Sequence, residues 1–284
     1  MYIAIALVVL SGLVHSIWNL FTKKSLDKVA FLWFCQWVAI LVFLPMTVYE
    51  LTSADVSRVS PSGWGLVAAS LALHGTYVLL LAKAYTLGDL SQAYPIMRGT
   101  SPLLVPLIGV LVLGERVGGI GWAGIVLIVV GIFFINGFRF KGAGRASNKT
   151  TLTAIAVGVM IAGYTVVDKM TLAHVPPVTL NEAGNLGNAA ALSWLAIRSG
   201  ALGREWRTNW RTIVLGGVLA PGGYILFLLA LRLLPVAQLA PMREIGTVFG
   251  TLFGVFLLKE QQGGSRMTAS VLITVGIVLL AQNG

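Results

Sequence analysis

Gly109-Val110-Leu111-Val112-Leu113-Gly114-Glu115 returns 145 residues later as Gly254-Val255-Phe256-Leu257-Leu258-Lys259-Glu260. Working outward, Gly118-Gly119 pairs with Gly263-Gly264 and Gly131 with Gly276 at the same offset. With small slips, Gly12 pairs with Gly158, Trp18 with Tyr164, Lys23 with Lys169 and Tyr77 with Tyr224. An internal repeat of this length decides the architecture before any single motif does.

The solvent of that repeat is lipid. At 57% hydrophobic and 11% charged residues, with mean hydropathy +0.86, the chain lacks the polar surface that a soluble globule of 284 residues needs. A spanning helix takes roughly 20 apolar residues. Candidate spans fall near 2–22, 30–49, 63–86, 90–113, 118–138, 151–170, 178–198, 211–232, 238–258 and 266–282. The runs are continuously apolar rather than alternating, which argues against a β-barrel. The expectation is an all-α integral membrane protein of about ten transmembrane helices, five per copy. The copies occupy residues 1–138 and 151–284, joined by a basic linker at 139–150. An odd number of crossings per copy turns the second copy upside down relative to the first. That is the inverted repeat of many secondary transporters, whose substrate site lies near the midplane between the copies.

The net charge of +10 follows the same plan rather than a nucleic-acid footprint. Thirteen Lys and Arg fall in alternate connections, from Lys23 to Arg266, against four on the other side (Arg58, Arg116, Lys169 and Arg232). The positive-inside rule then puts both termini outside and the linker in the cytoplasm.

Other chemistries find little support. Gly119-Ile120-Gly121-Trp122-Ala123-Gly124 matches a dinucleotide fingerprint in letters, but it sits in an apolar span with no preceding strand and reads as close helix packing. There is no Walker-type loop, no metal-ligand spacing and a single cysteine, Cys35. The expected cofactor and metal content is none, and no enzymatic site is expected. His15, His74 and His174 are too dispersed for one.

Two copies, each with an aromatic followed by Lys near the end of its first helix (Trp18 to Lys23, Tyr164 to Lys169) and an apolar-Gly-Glu or Lys-Glu beside its fourth, resemble EamA-type carriers of the drug/metabolite transporter superfamily. The stretch Val14-His15-Ser16-Ile17-Trp18-Asn19 also looks like members associated with phosphonate utilisation. The resemblance implies a multi-pass protein of the plasma (bacterial inner) membrane that exports amino acids or other small metabolites. Its partners would be a small-molecule substrate and the lipid bilayer, with proton coupling in prospect, no nucleic acid, and a monomer or homodimer as the assembly. It also implies cytoplasmic termini, the opposite of the charge count.

Polar groups deep in hydrocarbon mark the candidate site. His15, Trp18 and Asn19 share a face of the first helix, as do His74 and Tyr77 in the third. Tyr94, Arg98 and Ser101 share a face of the fourth, and Arg243, Thr247 and Thr251 one of the ninth. Arg98 and Arg243 suit a carboxylate or phosphonate held through paired N–H···O bonds. The competing readings are snorkelling to the interface or neutralisation of Arg243 by Glu244. Glu244 is the only carboxylate placed clearly inside a span, which makes it the proton-coupling candidate. Asp168 is expected in interfacial water beside Lys169. Tyr164 and Tyr224 join Trp18, Tyr77 and Tyr94 as aromatic walls for a cargo or as core. Pro95, Pro102 and Pro241 are candidate hinges, and Gly246, Gly250 and Gly254 a packing face. An amino acid or similar zwitterion is the expected cargo. Phosphonates and other organic anions are the alternative, and a lipid-directed enzyme or a channel is a more distant one.

Overall fold

The computed structural model of the chain describes residues 1–53, 59–87, 90–135, 148–256 and 263–282, with a few helix-end side chains left aside. The first nine residues of the linker, Leu257 to Glu260 of the repeated motif, and the Lys23 side chain lie outside the described residues. The described residues form helices and no strand. They are α1 (Tyr2–Lys24), α2 (Lys28–Ser53), α3 (Pro61–Leu87), α4 (Leu90–Leu113), α5 (Gly119–Ile135), α6 (Asn148–Thr171), α7 (Pro177–Arg198), α8 (Leu202–Leu231), α9 (Val236–Met242), α10 (Ile245–Phe256) and α11 (Gly263–Ala281). α1, α2, α3, α4, α6 and α8 are long and apolar enough to cross a bilayer.

Helix boundaries follow the apolar runs within a few residues, with two differences. α8 begins at Leu202 rather than near 211, because its first turns are polar and therefore silent to hydropathy. Glu205 anchors those turns: its fully buried carboxylate accepts from Asp27 N and from Asn209 Nδ2, each at 2.7 Å. The expected single helix at 238–258 is two helices, divided at Arg243–Glu244. Pro241 has no N–H to give, and the backbone crosses the gap by tighter bonds. Glu244 N donates to Pro241 O at 3.1 Å, Gly246 N to Arg243 O at 3.1 Å and Thr247 N to Glu244 O at 2.8 Å. α4, by contrast, stays one helix through Pro95, Pro102 and Pro106.

The packing has an internal order. α5 lies along α11, α2 along α7, and α4 against α9. α1 packs on α8 and α10, α3 on α6 and α7, α4 on α6, and α2 on α8. When α1 is exchanged with α6, α2 with α7, α3 with α8, α4 with α9 and α10, and α5 with α11, this set of pairings maps onto itself.

Small residues set the closest crossings. A Cβ on Gly12 would lie 2.9 Å from Gly246 N, and its counterpart on Gly158 would lie 2.5 Å from Thr100 Cβ. A Cβ on Gly276 would lie 2.6 Å from Gly124 O, so the last glycine of the fingerprint-like stretch is a helix-crossing point. Gly246 serves such a crossing, whereas a Cβ on Gly250 would meet nothing of another helix within 4 Å.

Helix ends away from water need partners inside the bundle. Glu50 of α2 accepts from Val178 N and Thr179 N at the start of α7, at 3.3 and 2.8 Å. Gly114, at φ 68°, ends α4 in the left-handed region, and the next residue, Glu115, accepts from Val236 N and Ala237 N at the start of α9, at 2.9 and 2.8 Å. The Lys169 ammonium donates to the carbonyls of Leu231 and Leu234 at the end of α8, at 2.5 and 3.0 Å. Of the repeated glutamate and lysine pairs, the described members Glu115 and Lys169 thus cap the ends of other helices.

Candidate functional site

The helices surround a cavity of about 190 Å³ lined from both halves of the chain. α1 contributes His15 and Trp18, α3 His74 and Tyr77, α4 Arg98 and Ser101, α6 Tyr164, α8 Tyr224, and the α9–α10 break Arg243 and Glu244. Nine of the eleven residues singled out for a substrate therefore meet in one space. The other two do not: Asn19 is exposed near the end of α1, and Tyr94 packs with Ala93, Met97 and Ala154 between α4 and α6. Pro95 and Pro102 are buried within unbroken α4, and Pro241 stands two residues before Arg243.

The break between α9 and α10 explains why Arg243 and Glu244, adjacent in sequence, both reach the cavity. On an unbroken helix they would diverge by about 100°. Glu244 does not neutralise its neighbour: its carboxylate lies 3.4 Å from the Arg98 guanidinium and accepts from the Thr247 hydroxyl at 2.8 Å. Arg243 forms no ion pair among the described residues. Its guanidinium lies 4.5 Å from the Phe227 ring centre and 5.0 Å from that of Tyr224, a cation–π seat that leaves its N–H groups available. The Nε atoms of Arg98 and Arg243 are both buried without a hydrogen-bond partner. Neither arginine snorkels to an interface.

Asp168 corrects the sequence expectation. It is fully buried rather than interfacial, because Lys169 turns away to cap α8 while the preceding side chain points inward. Its carboxylate accepts from Ser70 Oγ at 2.5 Å and Tyr224 Oη at 2.5 Å and lies 3.1 Å from His74 Nε2, tying α3, α6 and α8 together. The His74 ring in turn stacks on Tyr164, centres 4.1 Å apart. Glu244 is therefore not the only carboxylate within the spans: Asp168 is fully buried and Glu182 of α7 nearly so.

The sequence reading also missed the polar face of α7. Asn181, Asn185 and Asn188 line the cavity, with Gln36 of α2 on the same wall. Their spacing of i, i+4 and i+7 was a readable signal of one helix face. Pro221 of α8 lines the cavity as well.

Comparison with known proteins bears on this arrangement. A profile of the EamA-like transporter family matches residues 2–137 and again 148–282. The chain is 25% identical over 256 residues to "Putative sugar uptake protein lmo0176" of Listeria monocytogenes serovar 1/2a, covering 86% of this chain and 82% of that one. It is 22% identical over 222 residues to "Uncharacterized transporter YwfM" of Bacillus subtilis strain 168, covering 77% and 73%. A crystal structure 20% identical in sequence superposes with a TM-score of 0.82 over 98% of this chain and 96% of that one, a likeness of fold alone. The protein is a multi-pass component of the plasma membrane that serves the movement of small solutes. With both halves matched and a polar cavity between them, the chain belongs to the EamA-like transporter family.

Proposed function

We propose that the chain is a secondary transporter of small organic solutes bearing an acidic group, amino acids and related metabolites among them, working by alternating access. The observation that carries this reading is Arg243: a guanidinium in a cavity lined from both halves of the chain, seated on aromatic rings and without an ion-pair partner among the described residues. A substrate carboxylate supplies that partner through bidentate N–H···O bonds. For a zwitterion, the ammonium group lies toward Glu244.

The self-mapping pairings of the helices support a pair of inverted halves that rock about the cavity. Small crossings such as Gly12 against Gly246 let helices slide without repacking bulky side chains. Pro241 sits where a hinge is useful, immediately before the break that carries both charged groups, and Pro95 and Pro102 give α4 free carbonyls at which to flex. Glu244 is the proposed proton-coupling residue: a proton there releases Arg98 for the cargo, and its loss restores the ion pair. Export is the direction that the family resemblance favours.

A second reading rests on the presence of two arginines in one space. A phosphonate or another dianion engages both guanidinium groups, drawing Arg98 away from Glu244. Sugars, named for the Listeria relative, form the third arm of the same test. Counterflow in liposomes separates the readings, using amino acids, phosphonates and sugars as unlabelled internal solutes. The cargo class accelerates uptake of its own label, Arg243→Ala abolishes the acceleration, and a channel shows none. Acceleration that persists in Arg243→Ala overturns the proposal.

A further inference from the structure

The α7 wall carries a requirement that charge alone does not meet. Asn181, Asn185 and Asn188 rise along one face over about 10 Å. Asn181 and Asn185 are 4% and 7% exposed, and each leaves its Nδ2 without a well-formed hydrogen bond, Asn185 having the Glu182 carboxylate of its own helix nearby. Asn188 Oδ1 and, across on α2, Gln36 Oε1 are likewise buried and unpartnered. All four side chains line the cavity that holds Arg243. Buried carboxamides left unpaired are costly, so a row of them facing one space is built for something that enters it.

The neighbouring helix does not supply the missing partners. α3 meets α7 through glycines: a Cβ on Gly75 would lie 3.0 Å from Gly187 O, and one on Gly184 would lie 3.4 Å from the His74 ring. The His74 ring at this crossing has its Nε2 committed to Asp168. What remains open along the row is a mixture of donors and acceptors. A carboxylate only accepts and an ammonium only donates, whereas a hydroxyl does both and matches a carboxamide whichever way it faces. Trp18, Tyr77 and Tyr164 add aromatic faces for the C–H side of such a chain.

We infer that Asn181, Asn185 and Asn188 form a hydroxyl-reading row, and that the cargo filling the cavity is a polyhydroxylated carboxylate, its acid group on Arg243 and its hydroxyls along α7. This inference rests on the transporter reading above and narrows its substrate class.

The test uses the purified full-length protein in detergent and follows its melting temperature against four compounds. Gluconate carries both features, sorbitol the hydroxyls alone, hexanoate the acid alone, and norleucine is an amino acid of equal carbon number. Gluconate is expected to stabilise most. Asn185→Leu weakens gluconate binding by about tenfold and erases its advantage over hexanoate, while its advantage over sorbitol persists. Arg243→Gln does the reverse. Asn188→Leu, at the less buried end of the row, repeats the first result if Asn185→Leu does not fold. Equal stabilisation by gluconate, hexanoate and norleucine overturns the hydroxyl row and leaves the acid-carrier reading standing. No stabilisation by any of the four removes both.

Discussion

The Arg98 guanidinium lies 3.4 Å from the Glu244 carboxylate, joining α4 of the first half to the α9–α10 break in the second. That separation exceeds the roughly 2.7–2.9 Å of a well-made charge-assisted hydrogen bond, so the pair holds the halves in register and is still cheap to open. Arg98→Met leaves Glu244 uncompensated and lowers stability by about 2 kcal/mol. The double variant Arg98→Met, Glu244→Met recovers most of that loss and none of the transport. Chemical unfolding in detergent and liposome flux on wild type, Arg98→Met, Glu244→Met and the double variant close the cycle.

Asp168 holds three helices through Ser70, His74 and Tyr224, and the three contacts need an acceptor more than a charge. Asp168→Ala strands these buried polar groups, with an expected loss of about 1–3 kcal/mol for each donor left unpaired. Asp168→Asn keeps an acceptor oxygen and is milder. Melting temperatures in the order wild type, Asn, Ala check this, and an alanine variant as stable as wild type contradicts it.

The trans-capping glutamate at α9 is testable apart from the cavity. Glu115→Ala removes the acceptor for Val236 N and Ala237 N, at a cost of about 1–2 kcal/mol. Glu115→Gln retains an acceptor oxygen and loses less. Unfolding midpoints of the two variants give the comparison.

Backbone crossings make a sharp contrast between glycines. A Cβ on Gly276 would meet Gly124 O at 2.6 Å, whereas nothing lies within 4 Å of one on Gly65. Gly276→Ala therefore separates α5 from α11 and costs about 1–3 kcal/mol. Gly65→Ala is neutral or slightly stabilising in the melting curve.

The fold was legible because lipid enforces simple rules: the apolar runs mark the helices and the repeat pairs them. Hydropathy failed where the helix was polar, at the first turns of α8, and where the backbone broke, at Arg243–Glu244. The candidate site was legible to the extent that buried polarity stands out in an apolar run, which brought His15, His74, Arg98 and Arg243 forward. Asp168 was misplaced because its position near a helix end concealed which way the side chain turns, a matter decided by Lys169 and the end of α8. Asn181, Asn185 and Asn188 were overlooked because uncharged amides lack the pull of arginine, although their spacing was plain.

Access to the cavity from each side of the membrane tests the central claim most directly. Cys35→Ala gives a chain without cysteine, and Ser101→Cys then places one thiol beside Arg98 in the cavity wall. A membrane-impermeant maleimide is applied to intact cells and to inside-out vesicles. Alternating access predicts labelling of that cysteine from both faces. Labelling from one face only, or from neither, contradicts it.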